Sequence, residues 1–348
     1  MPIQVIFPTS TELRGIEQDL LPVMEGQDPV FFNDLFPTDT AETWLLEWEQ
    51  LDNFYGLQQA RGLDGQPPPV KRVGSSRYST TPGVYGEHIV IDEDEMTRRA
   101  AMAKLTGSIN LRDLTSQGQE QLIQRRLDRM RYLGWTLLTT GQFLVAAPNG
   151  GYEHRDRYIF KTLTCTPGIQ TVATSTPLQF LYGLLTASRG TSSQFGPQAK
   201  IYINAVTVQR FFANTNANDL GGRFRVGGGN TLNTLDDINA VLKERGLPQL
   251  EMYDKGYLTS AAASSFVPFI PNNVGVMVGQ RPGGQPLGNY RMVMNANNDF
   301  TPGPYSQIID NAGREIPRKI ELHDGHSGGP VVLFPSMVQV INFDTPGA

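Results

Sequence analysis

The sequence predicts an α+β fold organised around one long helix, and three observations carry this prediction. The run from Asp92 to Gly141 is the longest helix-competent stretch of the 348-residue chain. A polar segment from Gly62 to Asp92 has the pattern of a β-hairpin. After Thr174, helix and strand patterns alternate, which is typical of an α/β lobe.

Apolar side chains recur every three or four residues in the second part of the long run, which predicts a helix from about Thr115 to Thr140. The apolar stripe consists of Leu122 or Ile123, Leu127, Met130, Leu133 or Gly134, and Leu137. Such a helix is roughly 40 Å long at about 1.5 Å per residue, and we call it the spine. Its polar faces carry Arg125, Arg126, Arg129 and Arg131. We expect these arginines to face solvent or another subunit rather than nucleic acid.

A shorter helix is predicted from Asp92 to Lys104, ahead of the spine. Four acidic residues, Asp92 to Glu95, occupy its first turn, where the helix dipole favours negative charge. Gly107-Ser108 is expected to break the helix before the spine begins.

Residues 1–41 contain short apolar clusters separated by prolines, so we expect an extended arm without a long helix. The segment that starts at Glu42 is rich in leucine, tryptophan and other aromatic residues. Its pattern fits a strand or a helix, and we favour the strand.

The predicted hairpin has an outgoing strand from Val70 to Thr80, a turn at Pro82-Gly83 and a return strand from Val84 to Ile91. An isolated two-stranded hairpin is marginally stable in water. We therefore expect the hairpin to rest on a neighbouring molecule or domain.

The rest of the chain predicts further short elements. Helices are expected at Leu178–Ala187, Val206–Ala213 and Thr234–Arg245, and strands at Phe143–Ala147, Arg157–Thr164, Lys200–Asn204, Leu250–Leu258, Val274–Val278, Glu315–Leu322 and Gly329–Phe343. Gly283 to Tyr305 is expected to be loop-rich. The last strand is apolar enough to need a cover on both faces, and we expect the spine to supply it.

Composition excludes several classes of protein. A net charge of −5 and a pI near 5.5 argue against a protein whose main affinity comes from neutralising phosphates. The single cysteine, Cys165, excludes an intrachain disulfide and a cysteine-based zinc cluster and fits a reducing cytoplasm. The sequence contains neither a standard signal peptide nor about 18 consecutive apolar residues, so we expect no membrane span.

The segment Gly325-His326-Ser327-Gly328-Gly329 matches the G-x-S-x-G pattern of hydrolases that use a nucleophilic serine. In that fold the histidine base follows the serine, but no histidine follows Ser327 here. Trypsin-like proteases share Ser327-Gly328-Gly329-Pro330, yet they have aspartate in the place of His326 and a much longer chain after the serine. The sequence therefore favours a turn between two strands, with a serine hydrolase as the alternative.

Other candidate sites are weaker. His323, Asp324 and His326 could bind a metal ion and Asp92 to Glu95 a hard cation, but a turn and helix capping explain them as well. The glycine-rich loop from Gly221 to Gly229 lacks both nucleotide-binding motifs. We predict no catalytic residue, no cofactor and no metal ion.

The order of elements, together with several short strings, resembles the major capsid proteins of tailed bacteriophages, most closely the lambda-type shell proteins with the Hong Kong 97-like capsid fold. The strings are Leu35 to Thr38, Ser79 to Tyr85, Met96 to Arg99, Phe269 to Asn273 followed by Val276 to Gly279, and Pro335 to Val340. The resemblance covers nearly the whole chain, through element order and loose strings.

This resemblance implies a division into domains. The amino-terminal arm is 1–41 and the extended hairpin loop is 62–91. The peripheral domain is 42–61, 92–173 and 314–348, with the spine at about 115–140, and the α/β axial domain is 174–313.

The resemblance also implies a function without enzymatic activity. Copies of the protein form the hexamers and pentamers of an icosahedral shell, which encloses the double-stranded DNA genome of a tailed bacteriophage without reading its sequence. Scaffold, portal and possible decoration proteins are the implied partners, no membrane takes part, and the protein belongs to the virion after assembly in the host bacterial cytoplasm. A cellular nanocompartment shell of the same fold is the alternative.

Subunit contacts are expected on the hairpin and the spine. The candidate residues are Lys71, Arg72, Arg77, Tyr78, Tyr85, Glu87, His88, Arg125, Arg126 and Arg129.

Overall fold

The structure is a computed structural model of the chain. It describes residues 10–50, 65–66, 76–106, 111–146, 152–169, 176–187, 195–213, 234–259, 265–311 and 316–344. The chain divides into two compact units. Met1–Leu46, Thr80–Leu133 and Asn289–Val331 form the first, and Glu47–Ser79, Gly134–Gly288 and Val332–Ala348 form the second.

The regular elements of the described residues are as follows. The helices are α1 (Ser10–Gly26), α2 (Glu93–Thr106), α3 (Leu111–Thr140), α4 (Pro177–Ala187), α5 (Ala205–Ala213) and α6 (Leu235–Glu244). The strands are β1 (Thr38–Thr40), β2 (Leu46–Gln50), β3 (Ser76–Thr80), β4 (Gly83–Ile91), β5 (Gln142–Ala146), β6 (Tyr152–Arg157), β7 (Lys161–Thr164), β8 (Lys200–Ile203), β9 (Gln249–Met252), β10 (Gly256–Leu258), β11 (Phe266–Pro268), β12 (Val274–Val278), β13 (Gly288–Met292), β14 (Tyr305–Asp310), β15 (Ile320–Val332) and β16 (Val338–Asn342).

The predicted spine is confirmed as α3, a helix of 30 residues. The shorter helix before it is also confirmed as α2, and the backbone N–H of Glu95 donates to Asp92 Oδ1 over 2.9 Å, which caps its start. The acidic first turn therefore has a structural role. The predicted break at Gly107-Ser108 lies outside the described residues.

The first unit is a sheet covered by the spine. Strand β15 is central, because it pairs antiparallel with β14 through Ile320–Gly325 and with β4 through Ile320–Gly328. Leu122 of the spine packs with Ile91 of β4, with Ile320 and Leu322 of β15 and with Leu13 of α1. The sheet and the two helices thus share one apolar layer.

Helix α1 corrects the prediction of an extended arm without a long helix. Its 17 residues include Pro22, which lacks a backbone N–H and usually weakens a helix interior by about 3 kcal/mol. The exposed side of the helix carries Pro22 and Gln18, so the carbonyl that loses its partner lies near water. Burial of Leu13 and Met24 on the opposite side favours the helix, and a local sequence pattern does not report that burial.

Both strands predicted to form a hairpin are present where the structure describes them, but they pair with other strands; residues 70–75 of the outgoing strand lie outside the described residues. Strand β3 forms a two-stranded sheet with β2, and β4 joins β15 along its full length. Joining β15 buries Ile91 and partly buries Ile89 against the spine, which a lone hairpin could not do. The strand predicted after Glu42 is confirmed as β2.

The segment from His323 to Gly329 is not a turn between strands, because it lies inside the continuous strand β15. Neighbouring groups approach its glycines so closely that a side chain would clash with them. A Cβ on Gly325 would lie 2.6 Å from the Tyr305 hydroxyl, and a Cβ on Gly328 would lie 2.5 Å from the Arg291 carbonyl oxygen. The same Tyr305 hydroxyl lies 2.5 Å from the position of a Cβ on Gly86, which pairs with Gly325. The glycine pattern thus serves sheet packing.

The second unit contains a five-stranded sheet in the order β7-β16-β12-β8-β9. One face packs against α4, α5 and α6 through a core that includes Leu181, Phe211, Leu242, Ile341 and Phe343. On the other face, Trp135 from the last turns of the spine lies edge-on against Tyr202 of β8, with 5.6 Å between ring centroids. The sheet that contains the final strand β16 is thus covered by α4 to α6 on one face, and on the other face the end of the spine contacts β8.

Helix α6 has the start and stop that the sequence indicates. The Thr234 hydroxyl accepts from the backbone N–H of Asp237 over 3.2 Å, and the Asp237 carboxylate accepts from the N–H of Thr234 over 3.1 Å. Gly246 follows the helix with a φ of 70°, a left-handed conformation that glycine adopts without strain.

Several predicted boundaries are wrong. The strand predicted at Arg157–Thr164 divides between β6 and β7, and the one at Leu250–Leu258 divides into β9 and β10. Strand β13 lies in the segment expected to be loop-rich. The division into arm, hairpin loop, peripheral domain and axial domain stays a prediction.

We predict that Gly325→Ala lowers the free energy of unfolding by about 1–3 kcal/mol, because its Cβ would overlap the Tyr85 carbonyl oxygen at 2.4 Å and neither strand can move alone. Urea unfolding followed by circular dichroism measures the change.

Gly15→Ala is the matched control, since a Cβ at this position in α1 meets nothing within 4 Å. It should raise stability by about 0.5–1 kcal/mol, because alanine is the better helix former. Equal effects of the two substitutions would contradict the packing role of Gly325.

Candidate subunit-contact site

The structure separates the predicted contact residues into two places. Arg77 and Tyr78 lie on β3 in the second unit. In the first unit, Tyr85, Glu87 and His88 lie on β4, and the three candidate arginines lie on the spine. Lys71 and Arg72 lie outside the described residues.

Glu87, Arg125, Arg129 and Tyr132 form an exposed group in the first unit, which we call the β4–spine strip. Arg125 Nη2 donates to Glu87 Oε1 over 2.9 Å, and this pairing lowers the pKa of Glu87. The guanidinium of Arg129 lies 5.8 Å from the ring centroid of Tyr85 and 5.6 Å from that of Tyr132. The strip therefore places the Glu87–Arg125 ion pair beside Arg129, whose guanidinium contacts the rings of Tyr85 and Tyr132.

A second exposed group in the second unit is built on β2 and β3. Arg77 pairs with Glu47, and the Tyr78 ring stacks on Trp48 with 5.8 Å between centroids. Trp48 is buried and stacks in turn on Tyr158, whereas Tyr78 is 44% exposed. Tyr78 is thus a surface aromatic side chain on a rigid base, an arrangement common at protein interfaces.

The prediction that all the spine arginines face solvent or another subunit is wrong for Arg126 and Arg131. Both residues are buried, at 5% and 4% exposure. Arg131 Nε donates to Asp28 Oδ2 over 2.9 Å, and its guanidinium lies on the Phe32 ring. Because Arg126 is also enclosed by its own chain, we remove it from the candidate contact residues.

Arg126 belongs to a buried polar cluster that joins α1, the spine, β14 and β15. Its Nη1 donates to Asp324 Oδ2 over 2.8 Å, and its Nη2 pairs with Glu17 of α1. Gln119 of the spine donates to the Ser306 hydroxyl over 2.8 Å. The hydroxyl of Ser306 lies within hydrogen-bond distance of both carboxylates. Sequence periodicity places Arg126 on a polar face but does not show that β15 supplies a carboxylate opposite it.

Ser327 does not have the surroundings of a catalytic serine. It lies on a strand, is 5% exposed, and its hydroxyl accepts from Asn295 Nδ2 over 2.7 Å. The adjacent His326 points to the other face of the strand, where its Nε2 and the Tyr290 hydroxyl are 2.8 Å apart. Burial lowers the pKa of His326 to about 3, so it is a poor proton acceptor. These positions argue against the hydrolase interpretation.

The three residues considered as metal ligands have separate partners. Asp324 pairs with Arg126, while His323 is 3.0 Å from Glu321 and stacks on His88, which faces it across the strand pair. Within the described residues, no group of three or more His, Cys, Asp or Glu side chains could hold a metal ion. Strand alternation explains the separation, because His323 and Asp324 point to opposite faces.

Two further observations concern Cys165 and the glycine-rich loop. Cys165 is buried after β7, and burial raises the pKa of its thiol to about 11, so this thiol is unreactive near neutral pH. The loop from Gly221 to Gly229 lies outside the described residues. Among the helices that the structure describes, none is long and apolar enough to cross a membrane.

Comparisons with known proteins give no match by sequence but do give matches by structure. No family model matches the chain, and no curated protein sequence matches it. A phage-related protein from Bordetella bronchiseptica RB50 matches with a TM-score of 0.53 and 11% identity, over 97% of each chain. A prophage protein of E. coli CFT073, assigned as a capsid protein, matches with a TM-score of 0.51 and 11% identity, over 93% of this chain and 98% of that chain.

A chain from the capsid of Myoviridae phage XM1 has a TM-score of 0.47 and 9% identity, over 90% of each chain. The two stronger matches span nearly the whole chain and confirm the predicted fold class, an α+β fold of the phage-capsid type.

We predict that Arg126→Met lowers the free energy of unfolding by about 3–5 kcal/mol at pH 7.5, because it leaves two buried carboxylates without their cation. Chemical denaturation of the purified chain measures this loss.

Arg125→Met, one residue earlier on the same helix, removes an exposed ion pair and should cost less than about 1 kcal/mol. A similar small loss for both variants would show that the Arg126 pairs do not hold the first unit together.

Proposed function

We propose that this protein is the major capsid protein of a tailed bacteriophage, and that its copies assemble into the icosahedral shell enclosing the double-stranded DNA genome. The observation that carries the proposal is the structural match to the E. coli prophage protein, over 93% of this chain and 98% of that one. A fold by itself does not specify a function. The surface of this chain therefore has to supply the contacts that a shell needs.

A closed shell requires several modest contacts per subunit, because closure and multivalency add their strengths. The β4–spine strip offers one such surface, with charged groups and the Tyr132 ring. On the face of the same sheet that points away from the spine, Val84, Val90 and Ile309 are 68%, 42% and 45% exposed. Tyr78 and Arg77 offer a further contact in the second unit. These surfaces support interactions between copies.

The charge distribution supports enclosure of DNA without sequence recognition. The net charge is −5, and three exposed arginines, Arg77, Arg98 and Arg125, already pair with carboxylates of the same chain. Specific readers of DNA instead present unpaired basic side chains to phosphates and base edges. We further propose that the chain forms the hexamers and pentamers of this shell. Scaffold, portal and decoration proteins would be its partners. The protein would then be located in the virion after assembly in the host cytoplasm.

The first test is electron microscopy of the purified, expressed chain, alone and together with a scaffold protein. We expect shells, tubes or capsomer rings. A chain that stays a monodisperse monomer under every assembly condition would contradict the proposal. The contents of particles formed in cells separate a phage shell, which holds DNA, from a nanocompartment of the same fold, which holds protein.

A second test concerns the β4–spine strip. We expect Arg129→Glu to lower the yield of closed particles about tenfold or more, since a loss of about 1.4 kcal/mol weakens each contact tenfold and every copy repeats it. Sedimentation measures the fraction assembled.

Arg129→Lys retains the charge and should assemble nearly normally. Circular dichroism of the unassembled chains checks that both variants fold. Normal shells from Arg129→Glu would exclude the strip from the subunit contacts.

A further inference from the structure

The buried polar cluster of the first unit contains more acid than base. Glu17 and Asp324 are its carboxylates and Arg126 is its cation, with exposures of 7%, 3% and 5%. If both carboxylates are ionised, one negative charge in the interior has no opposite charge within the cluster. Two carboxylates that share a site disfavour double ionisation, and burial adds to this effect.

The number of hydrogens available for hydrogen bonds in the cluster also indicates that one carboxyl group is protonated. Ser306 Oγ lies 3.0 Å from Glu17 Oε2 and 3.1 Å from Asp324 Oδ2. A serine hydroxyl has one hydrogen, so it can donate fully to only one of these oxygens. The other contact becomes a full hydrogen bond when that carboxyl group is protonated and donates to Ser306.

The acceptor side of Ser306 fits this arrangement. Its oxygen has two lone pairs, and Gln119 Nε2 donates to it over 2.8 Å. One lone pair is left for a carboxylic acid. With a proton on Asp324, Ser306 has its full set of hydrogen bonds and the cluster is neutral.

We propose that Asp324, which shares Arg126 and Ser306 with Glu17, binds a proton in mildly acidic solution, and that this proton strengthens the attachment of α1 to the spine and the sheet. Glu17 lies on α1, Arg126 on the spine, and Ser306 and Asp324 on β14 and β15. A change in the charge of the cluster therefore changes the strength of the contacts that hold α1 against the spine and the sheet.

The direction of the pKa agrees with the geometry. Burial raises the pKa of the Asp324 carboxyl to about 6; Arg126 opposes the increase, Glu17 adds to it, and the hydrogen bonds with Ser306 and Gln119 also oppose it. In an unfolded chain the value is about 3.9. Between these values the folded chain holds a proton that the unfolded chain releases, so the proton's contribution to stability is complete below about pH 4 and is lost as the pH rises through about 6.

Other titratable or charged groups near the cluster have distinct roles. On β4, Glu87 pairs with Arg125, and on β15 the low pKa keeps His326 neutral. The guanidinium of Arg129 lies over the Tyr85 ring, 5.8 Å from its centroid. On α1, burial also raises the pKa of Glu25, which accepts a hydrogen bond from Thr38. The experiment must therefore distinguish Asp324 from Glu25.

Hydrogen exchange of the full, unassembled chain tests the proposal. After correction for the intrinsic exchange rate, we expect protection of the α1 amides to fall about tenfold between about pH 5 and pH 7.5, since one pKa unit corresponds to a tenfold change. Asp324→Asn, which is neutral at every pH, should abolish this dependence. Two control variants should retain the part of the pH dependence that comes from Asp324. They are Asp19→Asn, an exposed change on the same helix, and Glu25→Gln.

Protection of α1 that does not depend on pH in the natural chain would overturn the proposal, as would an unchanged dependence in Asp324→Asn. If Asp324→Asn does not fold, Glu17→Gln replaces it with the same expectation. Infrared spectroscopy gives a direct measurement, because a protonated carboxylic acid has a C=O band that a carboxylate lacks. We expect this band to appear below about pH 6, and its absence at pH 5 would also overturn the proposal. None of these outcomes depends on shell assembly.

Discussion

The first unit depends on the placement of one arginine. Arg126 lies on the spine at a point where α1 supplies Glu17 and β15 supplies Asp324, so a single guanidinium connects three elements that are far apart in sequence. Burying such charges costs several kcal/mol per ion, which only well-placed partners recover. The ion pairs therefore specify which elements meet more than they add net stability. The apolar layer around Leu122 and Leu322 supplies the favourable burial.

Burial also determines which spine residues are available for intermolecular contact. Arg125 and Arg129 are four residues apart, lie on the exposed side, and flank the edge where β4 adds Glu87 and Tyr85. Arg126 and Arg131 lie on the inner side and are used in ion pairs within the chain. A single helix thus holds the unit together through some arginines and leaves others exposed on a rigid element.

The segment from His323 to Gly329 shows how a motif can be misinterpreted when its neighbours are unknown. Its glycines allow Tyr305 and the backbone of β13 to approach β15, while Ser327 and His326 bond to Asn295 and Tyr290. Each residue type that suggests catalysis has a packing role in the sheet.

The sequence by itself determined the elements whose signals are local. The spine, the acidic start of α2 and the capped α6 depend on residues within one or two turns, and the structure confirms all three. Tertiary structure alone decided the partners of each element. Burial of Leu13 and Met24 made the proline-containing α1 a helix, β4 gained an apolar layer by pairing with β15 instead of β3, and Arg126 became an internal residue. These outcomes depend on contacts between residues distant in sequence, whose free energies exceed local preferences and leave no periodic pattern in the chain.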